Sequence, residues 1–288
     1  MGYSLWGHKE SDTTEQLTHT HTHTHTHTHI SSAVAIAIAM YQFFSEEKLG
    51  VILGISKVEN EEINELKLNF NNLFTNELKI NQKTEIQNIK KDNSDKELVY
   101  TDYSKVEKSI NNYELNVNIP QINIDNNIAK KYNNEIKRTF EKTSEDIMQT
   151  QEKNIVYTVN YMANIENNIL SVVILSTFKE QNNVQRTIAK TYNYDIKNNK
   201  EVTINEFMKL KYLDKKTLNE AISDEIKKAQ EQTEQLEELG YNIFSRNVTD
   251  EMYKIENISN FFMYEGYLYI IYAYGNANNT SEMDIVII

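Results

Sequence analysis

The chain has 288 residues, a formal net charge of -12 and 39% hydrophobic residues, enough for one large or two small domains with a real core. Such an acidic balance disfavours sequence-independent binding to nucleic acid, which needs clustered Lys and Arg, so nucleic acid is not an expected partner. The chain has no cysteine, which excludes disulfides, thiolate chemistry and Cys-ligated zinc. All seven histidines lie in the first 29 residues, leaving no imidazole from Ile30 onward.

The leader, residues 1-29, has no amphipathic pattern. In its Thr-His tract, His19 to His29, an extended backbone would place six histidines on one face. Such tracts bind Ni²⁺ or Zn²⁺ weakly. The plainer reading is a disordered low-complexity tail, and no metal ligand is assigned. The stretch GYSLWGHKESDTTEQLTHTH resembles the translation of a ruminant short interspersed repeat running into a microsatellite. That resemblance implies that the leader does not belong with the rest, so the fold is read from Ile30 onward.

Residues 30-44, ISSAVAIAIAMYQFF, are uncharged. They are short of the ~20 residues a membrane-crossing helix needs, yet match the apolar core of a signal peptide or signal anchor. A buried helix or short strand is the alternative. A second apolar patch, Leu49 to Ile55, is too short to span. In the region 56-112, apolar positions at Ile63, Leu66, Phe70, Leu73, Phe74 and Leu78 recur at helical steps, predicting a helix over about 60-79. A polar linker follows, with a short strand at Leu98 to Thr101.

From Tyr113 the pattern changes. YELNVNIPQINI alternates Leu115, Val117 and Ile119 with polar residues, as a half-buried strand does. Pro120, the only proline, marks an edge or a bulge. Asp125 is placed to cap a helix over about 126-149 with Ile128, Tyr132, Ile136, Phe140 and Ile147 on one face. Strands follow at 154-163, 169-179 and 184-196 with short polar connections, an antiparallel meander. TINE at Thr203 is a capping box. Asp214 or Thr217 starts a helix reaching Leu239, stopped by Gly240. Strands at 259-264, 267-274 and 283-288 end the chain, with a turn at Glu265-Gly266. The expected fold is α+β: an antiparallel sheet with helices packed on one face, preceded by the leader and the apolar segment.

No Ser-His-Asp or Cys-His arrangement can be built without His and Cys. GxGxxG, Walker A and EF-hand patterns are missing. Carboxylate chemistry is what survives. Glu180, Asp195, Glu201, Glu206, Asp250, Glu256, Glu265 and Asp284 are candidates for an acid/base pair, but no spacing selects two of them. Surface solvation is the plainer reading of each. Tyr192, Tyr194, Tyr264, Tyr267, Tyr269, Tyr272 and Tyr274 are either exposed recognition groups or cross-strand packing. No catalytic, cofactor-binding or metal residue is assigned. Asn, Lys, Ile and Tyr crowd the body, as A/T-rich coding DNA would dictate.

From about Tyr113 to the end, NVNIPQIN, YTVNY, NNILSVVILST, TIAKTYNYDIKNNKEVTINEFM and YLYIIYAYGNANNTSEMDIVII carry a family likeness. They resemble a bacterial, clostridial-like extracytoplasmic domain of unknown function. That domain stands at the C-terminus of RsiV-like, lysozyme-responsive anti-sigma factors and beside peptidoglycan deacetylase domains. The resemblance implies a non-catalytic binding or sensing domain at the bacterial cell envelope, anchored or exported through residues 30-44. Its partner would be a protein such as lysozyme or a cell-wall component. The alternative is an accessory domain of a peptidoglycan-modifying system, separated from its catalytic partner. An autonomous carboxylate hydrolase is the third reading. Four segments are expected: leader 1-29, signal-anchor-like 30-55, helix and linker 56-112, and the α+β domain 113-288.

Overall fold

The computed structural model describes residues 54-80, 89-110 and 112-288, with the backbone alone for 54-60. The chain divides into two units, Met1–Lys48 and Leu49–Ile288, and the described residues all belong to the second. The leader, the apolar segment 30-44 and linker residues 81-88 lie outside the described residues.

Among the described residues there are ten strands and five α-helices. Helix α1 (Gly54–Leu68) is followed by β1 (Leu78–Ile80), β2 (Val99–Ser109) and β3 (Tyr113–Ile122). Helices α2 (Asn127–Ile136) and α3 (Lys142–Gln149) are joined without a break by a π-helical turn, Lys137–Glu141. Then come β4 (Ile155–Glu166), β5 (Ile169–Glu180), β6 (Arg186–Asp195) and β7 (Lys200–Glu201). Helices α4 (Ile204–Leu210) and α5 (Lys215–Glu238) lead to β8 (Phe261–Tyr264), β9 (Tyr267–Ala273) and β10 (Met283–Ile287).

The strands form two sheets. The larger runs β2-β3-β4-β5-β6-β7, with β1 also on β4; the smaller runs β10-β9-β8. Most pairings are antiparallel, but β3 and β1 run parallel to β4. They share one edge of β4: β3 pairs with Ile155 to Val159, and β1 with Ala163 to Ile165. Pro120 sits beyond Val117, where β3 has already left β4, and opposite the irregularity between Thr101 and Tyr103. A residue without an N–H is tolerated there because no β4 carbonyl awaits it.

Alternation along the strands sorts side chains into three layers of core. Tyr157, Val159, Tyr161 and Ile165 of β4 meet Ala129, Tyr132, Ile136 and Phe140 of the long helix. On the opposite face, Met162, Val173 and Ala189 meet Phe262, Tyr269, Ile271 and Ile287 of the small sheet. The far face of the small sheet, with Phe261, Met263, Leu268 and Ile270, packs on Phe207, Leu218, Ile222 and Ile226 of α4 and α5. The architecture is a helix-sheet-sheet-helix stack. The expected α+β class holds, and the small sheet meets α4 and α5 on one face and residues of α1, Ile63 and Leu66, on the other.

Three local expectations differ. The helix at 60-79 stops at Leu68, and Phe70–Leu73 is a 3-10 turn; its apolar residues still face the small sheet, so their spacing mimicked one longer helix. The linker contains an eleven-residue strand, β2, whose inward side chains are Tyr103, Lys105 and Glu107, too polar for a strand pattern. Asn126 caps α2, accepting from the Ala129 N–H at 2.8 Å, while Asp125 holds lysines instead. The capping box at Thr203 and Glu206 and the Asp214 cap form as expected.

The buried edge of β6 faces the loop that follows β9. The Thr187 N–H donates to the Thr280 carbonyl at 3.0 Å. The Asn276 amide accepts from the Ala189 N–H and donates to the Ala189 carbonyl, both at 3.0 Å. This approach requires Gly275: a Cβ there would lie 1.9 Å from the Thr187 carbonyl oxygen. Gly275→Ala should therefore force the loop off β6 and destabilise the fold by about 2–3 kcal/mol, the upper range for overpacking. Urea unfolding checks this, and an unchanged midpoint would show that the loop does not press on β6.

Candidate functional site

A groove of about 700 Å³ lies at one end of the large sheet. Its wall is built where four connections converge. The β3–α2 link gives Ile124, Asp125 and Asn126, and the β4–β5 turn gives Asn168. The β6–β7 hairpin gives Tyr194, Ile196, Lys197 and Asn199, and Ile89 and Lys90 close one side. The β4–β5 connection is a two-residue turn, since Glu166 pairs with Ile169 and both Asn167 and Asn168 have positive φ. That is the signature of a type I′ turn, for which Asn is well suited. Asn199 also has a positive φ, 54°.

Hydrogen bonds fix the wall. Asn126 Nδ2 donates to the Tyr194 hydroxyl at 2.9 Å, and that hydroxyl donates to Asn199 Oδ1 at 2.5 Å. The Ile196 N–H donates to the Asn168 carbonyl at 2.9 Å. Asp125 receives Lys90 and, at 2.9 Å, Lys130. These lysines, Lys90 first, hold its carboxyl down at about 2. Lys197 makes no ion pair among the described residues. The groove thus offers amides, a phenol, a free ammonium and an isoleucine floor, a set suited to hydrogen-bonding and anionic groups rather than to proton transfer.

The sequence-derived carboxylates do not assemble into a pair across a cleft. Asp195, Glu201 and Glu206 gather around β7, yet each serves a separate local donor. Asp195 accepts from Asn198, Glu201 from Lys131 at 2.7 Å, and Glu206 closes the α4 cap while binding Lys200. Lys200 is the first cause of the lowered Glu206 carboxyl. Glu180 ends β5 beside Glu152, whose carboxyl it pushes up. Asp250, Glu256 and Glu265 are exposed.

Asp284 alone of the eight is buried. Arg246 grips it with two bonds, Nε to Oδ2 at 2.6 Å and Nη2 to Oδ1 at 2.9 Å. The other guanidinium nitrogen reaches Thr233 Oγ1 at 2.7 Å and the Phe244 carbonyl at 2.8 Å. The Tyr274 hydroxyl also donates to Asp284, and Tyr253 meets Tyr274 at 2.8 Å. Every oxygen of Asp284 is spoken for, so this network clamps the 241-250 segment onto α5 and β10. Sequence reasoning named Asp284 but missed Arg246, which no local pattern marks. It also missed Glu166 and Asn164, buried between the sheets.

Six of the seven tyrosines are packing groups, while Tyr267 is half-buried and its hydroxyl donates to Glu62 at 2.5 Å. Tyr192 and Tyr194 belong to the helix-facing core, and Tyr264, Tyr269, Tyr272 and Tyr274 are buried in or around the small sheet. Phe262 stacks on Tyr269 at 4.6 Å and Tyr253 meets Tyr272 edge-on at 5.0 Å. Among the described residues no three His, Cys, Asp or Glu side chains gather to hold a metal ion, and no helix is long and apolar enough to cross a membrane.

Two outcomes follow from this geometry. Arg246→Met leaves Asp284 buried without its cation and should cost about 3–5 kcal/mol in chemical denaturation; a loss below about 1 kcal/mol would mean the clamp is dispensable. Asp125, its carboxyl held down, supports the folded state above its unfolded value and gives that support up as pH falls through about 2. Its side-chain NMR signal should therefore still be that of the carboxylate at about pH 3.5.

No protein-family model matches the chain, and no curated protein does either. Among solved structures, the chain is similar to a DUF3298 family protein from Pseudomonas aeruginosa, at 11% identity and a TM-score of 0.27. The alignment covers 34% of this chain and 50% of that one, so the chain spans half the length of that relative. It is also similar to a DUF3298 family member from Bacteroides fragilis, at 12% identity and a TM-score of 0.31, over 55% of this chain and 74% of that one.

Proposed function

We propose that this is a non-catalytic binding domain of the bacterial cell envelope, anchored or exported through residues 30-44, whose ligand occupies the groove beside Tyr194. The observation that carries this reading is the groove itself. At about 700 Å³ it lies in the range of small-ligand sites, and its Asp125, Asn126, Tyr194 and Asn199 side chains are held by hydrogen bonds or ion pairs. The two buried carboxylates among the described residues, Glu166 and Asp284, are engaged with a turn and with an arginine, which supports binding over catalysis. A soluble cell-wall component carrying amide and carboxylate groups fits the Asn168, Asn199 and Lys197 lining. On this reading the domain is the recognition part of a cell-wall system.

A lysozyme-type sensor is the second reading, favoured by one observation. The chain carries a net charge of -12, and α5 ends in Glu231, Glu234, Glu237 and Glu238 with no basic residue in its last turn. A basic protein would meet this surface by long-range attraction, not the lysine-bearing groove. Calorimetric titration separates the two. Muropeptides should bind, and Lys197→Glu should weaken them at least about tenfold, the loss of one charge-assisted contact of about 1.4 kcal/mol or more. If lysozyme binds instead and Lys197→Glu changes nothing, the sensor reading replaces the first. Binding of neither removes both.

A further inference from the structure

Helix α4 ends in a bonding pattern that the chain uses twice. The Tyr212 N–H donates to the Lys209 carbonyl at 3.2 Å, and the Leu213 N–H to the Met208 carbonyl at 2.8 Å. At the end of α5 the Gly240 N–H donates to the Glu237 carbonyl at 2.8 Å, and the Tyr241 N–H to the Leu236 carbonyl at 3.1 Å. Both are Schellman caps, in which the residue just past the helix takes a left-handed backbone. Gly240 fills that position on α5 with a φ of 89°, while a tyrosine fills it on α4 with a φ of 51°. A Cβ makes this conformation costly. Tyr212 is the one aromatic among the described non-glycine residues that adopt it. Its ring gives nothing back to the fold, since Tyr212 is 98% exposed. Met208 and Leu213 supply the apolar contact of the cap by packing into the core beneath α4 and α5.

The neighbours of Tyr212 break a second local rule. Lys215 and Lys216 open α5, whose first turn holds no acidic residue, although the positive end of a helix disfavours cations there. With Lys209 and Lys211, residues 208-216 carry four lysines and one acid, Asp214, in a chain of net charge -12. Asp214 is engaged as the α5 cap, accepting from the Thr217 N–H and hydroxyl at 2.8 and 3.1 Å. Lys211 braces the corner by donating to the Gly266 carbonyl, next to the exposed Glu265. Lys216 lies 3.7 Å from Glu220. Lys209 and Lys215 are exposed and make no ion pair among the described residues. Leu210, between Lys209 and Lys211, is 46% exposed.

A cluster of cations from which a tyrosine and a leucine project matches one kind of surface. Each lysine held near an anionic bilayer strengthens binding about fivefold, and tyrosine favours the boundary between headgroups and acyl chains. At 0.1 M salt charges beyond about 10 Å are screened, so this corner approaches a surface that the acidic chain as a whole would avoid. We propose that the α4–α5 corner, with Tyr212 at its tip, is a docking surface for an anionic lipid bilayer. Solvation alone accounts for a run of lysines, but not for an exposed tyrosine where the same chain uses glycine in the same cap. The inference deepens the envelope reading and rests on it for a bilayer within reach.

The test mixes the whole chain carrying Tyr212→Trp with vesicles of phosphatidylglycerol and phosphatidylcholine, or of phosphatidylcholine alone. The native chain, with its single Trp6, gives the background. Phosphatidylglycerol should shift the emission of the added indole to the blue, and about 0.5 M salt should abolish the shift. Adding Lys209→Gln and Lys215→Gln should lower the lipid affinity behind the shift by about 25-fold, two contacts of about fivefold each. Tyr212→Gly should raise the urea midpoint by relieving the cap, and lower the phosphatidylglycerol-dependent part of vesicle binding. Binding to phosphatidylcholine alone reports on residues 30-44 and so on the envelope reading, separately from the corner. A shift of equal size on both vesicles, or none on either, overturns the inference. A lower urea midpoint for Tyr212→Gly does so too, by making the ring a structural group. Concentration-dependent self-association that the two lysine substitutions abolish would assign the corner to a second copy of the chain instead.

Discussion

Two stacked sheets bury the edges at which they meet, and a buried strand edge must find partners for its N–H and C=O groups or the stack fails. Here side-chain amides do that work. β8 is an edge strand of the small sheet, yet its Phe261 carbonyl takes the Asn193 amide at 2.7 Å and its Met263 carbonyl takes Asn164 at 2.8 Å. On β6 the Ala189 N–H meets Asn276 and the Thr191 N–H meets Asn260. Asn133 closes both the N–H and the carbonyl of Ile122, and Asn76 takes the Tyr161 N–H at 2.9 Å. An amide presents donor and acceptor together, so it can replace a strand residue at an edge where the real ladder has ended.

This changes the meaning of the composition. Asparagine abundance reads as coding bias when only counts are available. At Asn76, Asn133, Asn164, Asn193, Asn260 and Asn276 it is also the means by which the edges are sealed. Asn167, Asn168 and Asn199, and Asn76 as well, hold a positive φ that other residues with a Cβ adopt less readily. Replacement of any of the edge asparagines by leucine would fill the same space and leave backbone groups unpaired.

What was legible in the sequence was local. The meander from Ile155 to Asp195, the capping box at Thr203, the long α5 and the Glu265-Gly266 turn all follow from alternation, caps and turn chemistry within short windows. The second sheet was not legible, because stacking is a long-range choice. Met162, Asn164 and Glu166 look like the solvent face of a strand until the small sheet covers them. β2 escaped for the opposite reason, its inward side being Tyr103, Lys105 and Glu107. The groove was also hidden, since its residues come from four separate connections with no common spacing. Tyr194 was noticed as part of an alternating pair, but its burial and its bond to Asn199 needed the fold.

The groove and the seam between the two sheets meet at one turn. Asn168 lines the groove, while Glu166, two residues earlier, lies in the seam on the other side of the sheet. Between them the chain has almost no freedom. The turn holds two left-handed residues, Asn168 is tied to the Ile196 N–H, and Glu166 is tied to Gly266. A rigid two-residue link passes displacement from one side to the other instead of absorbing it.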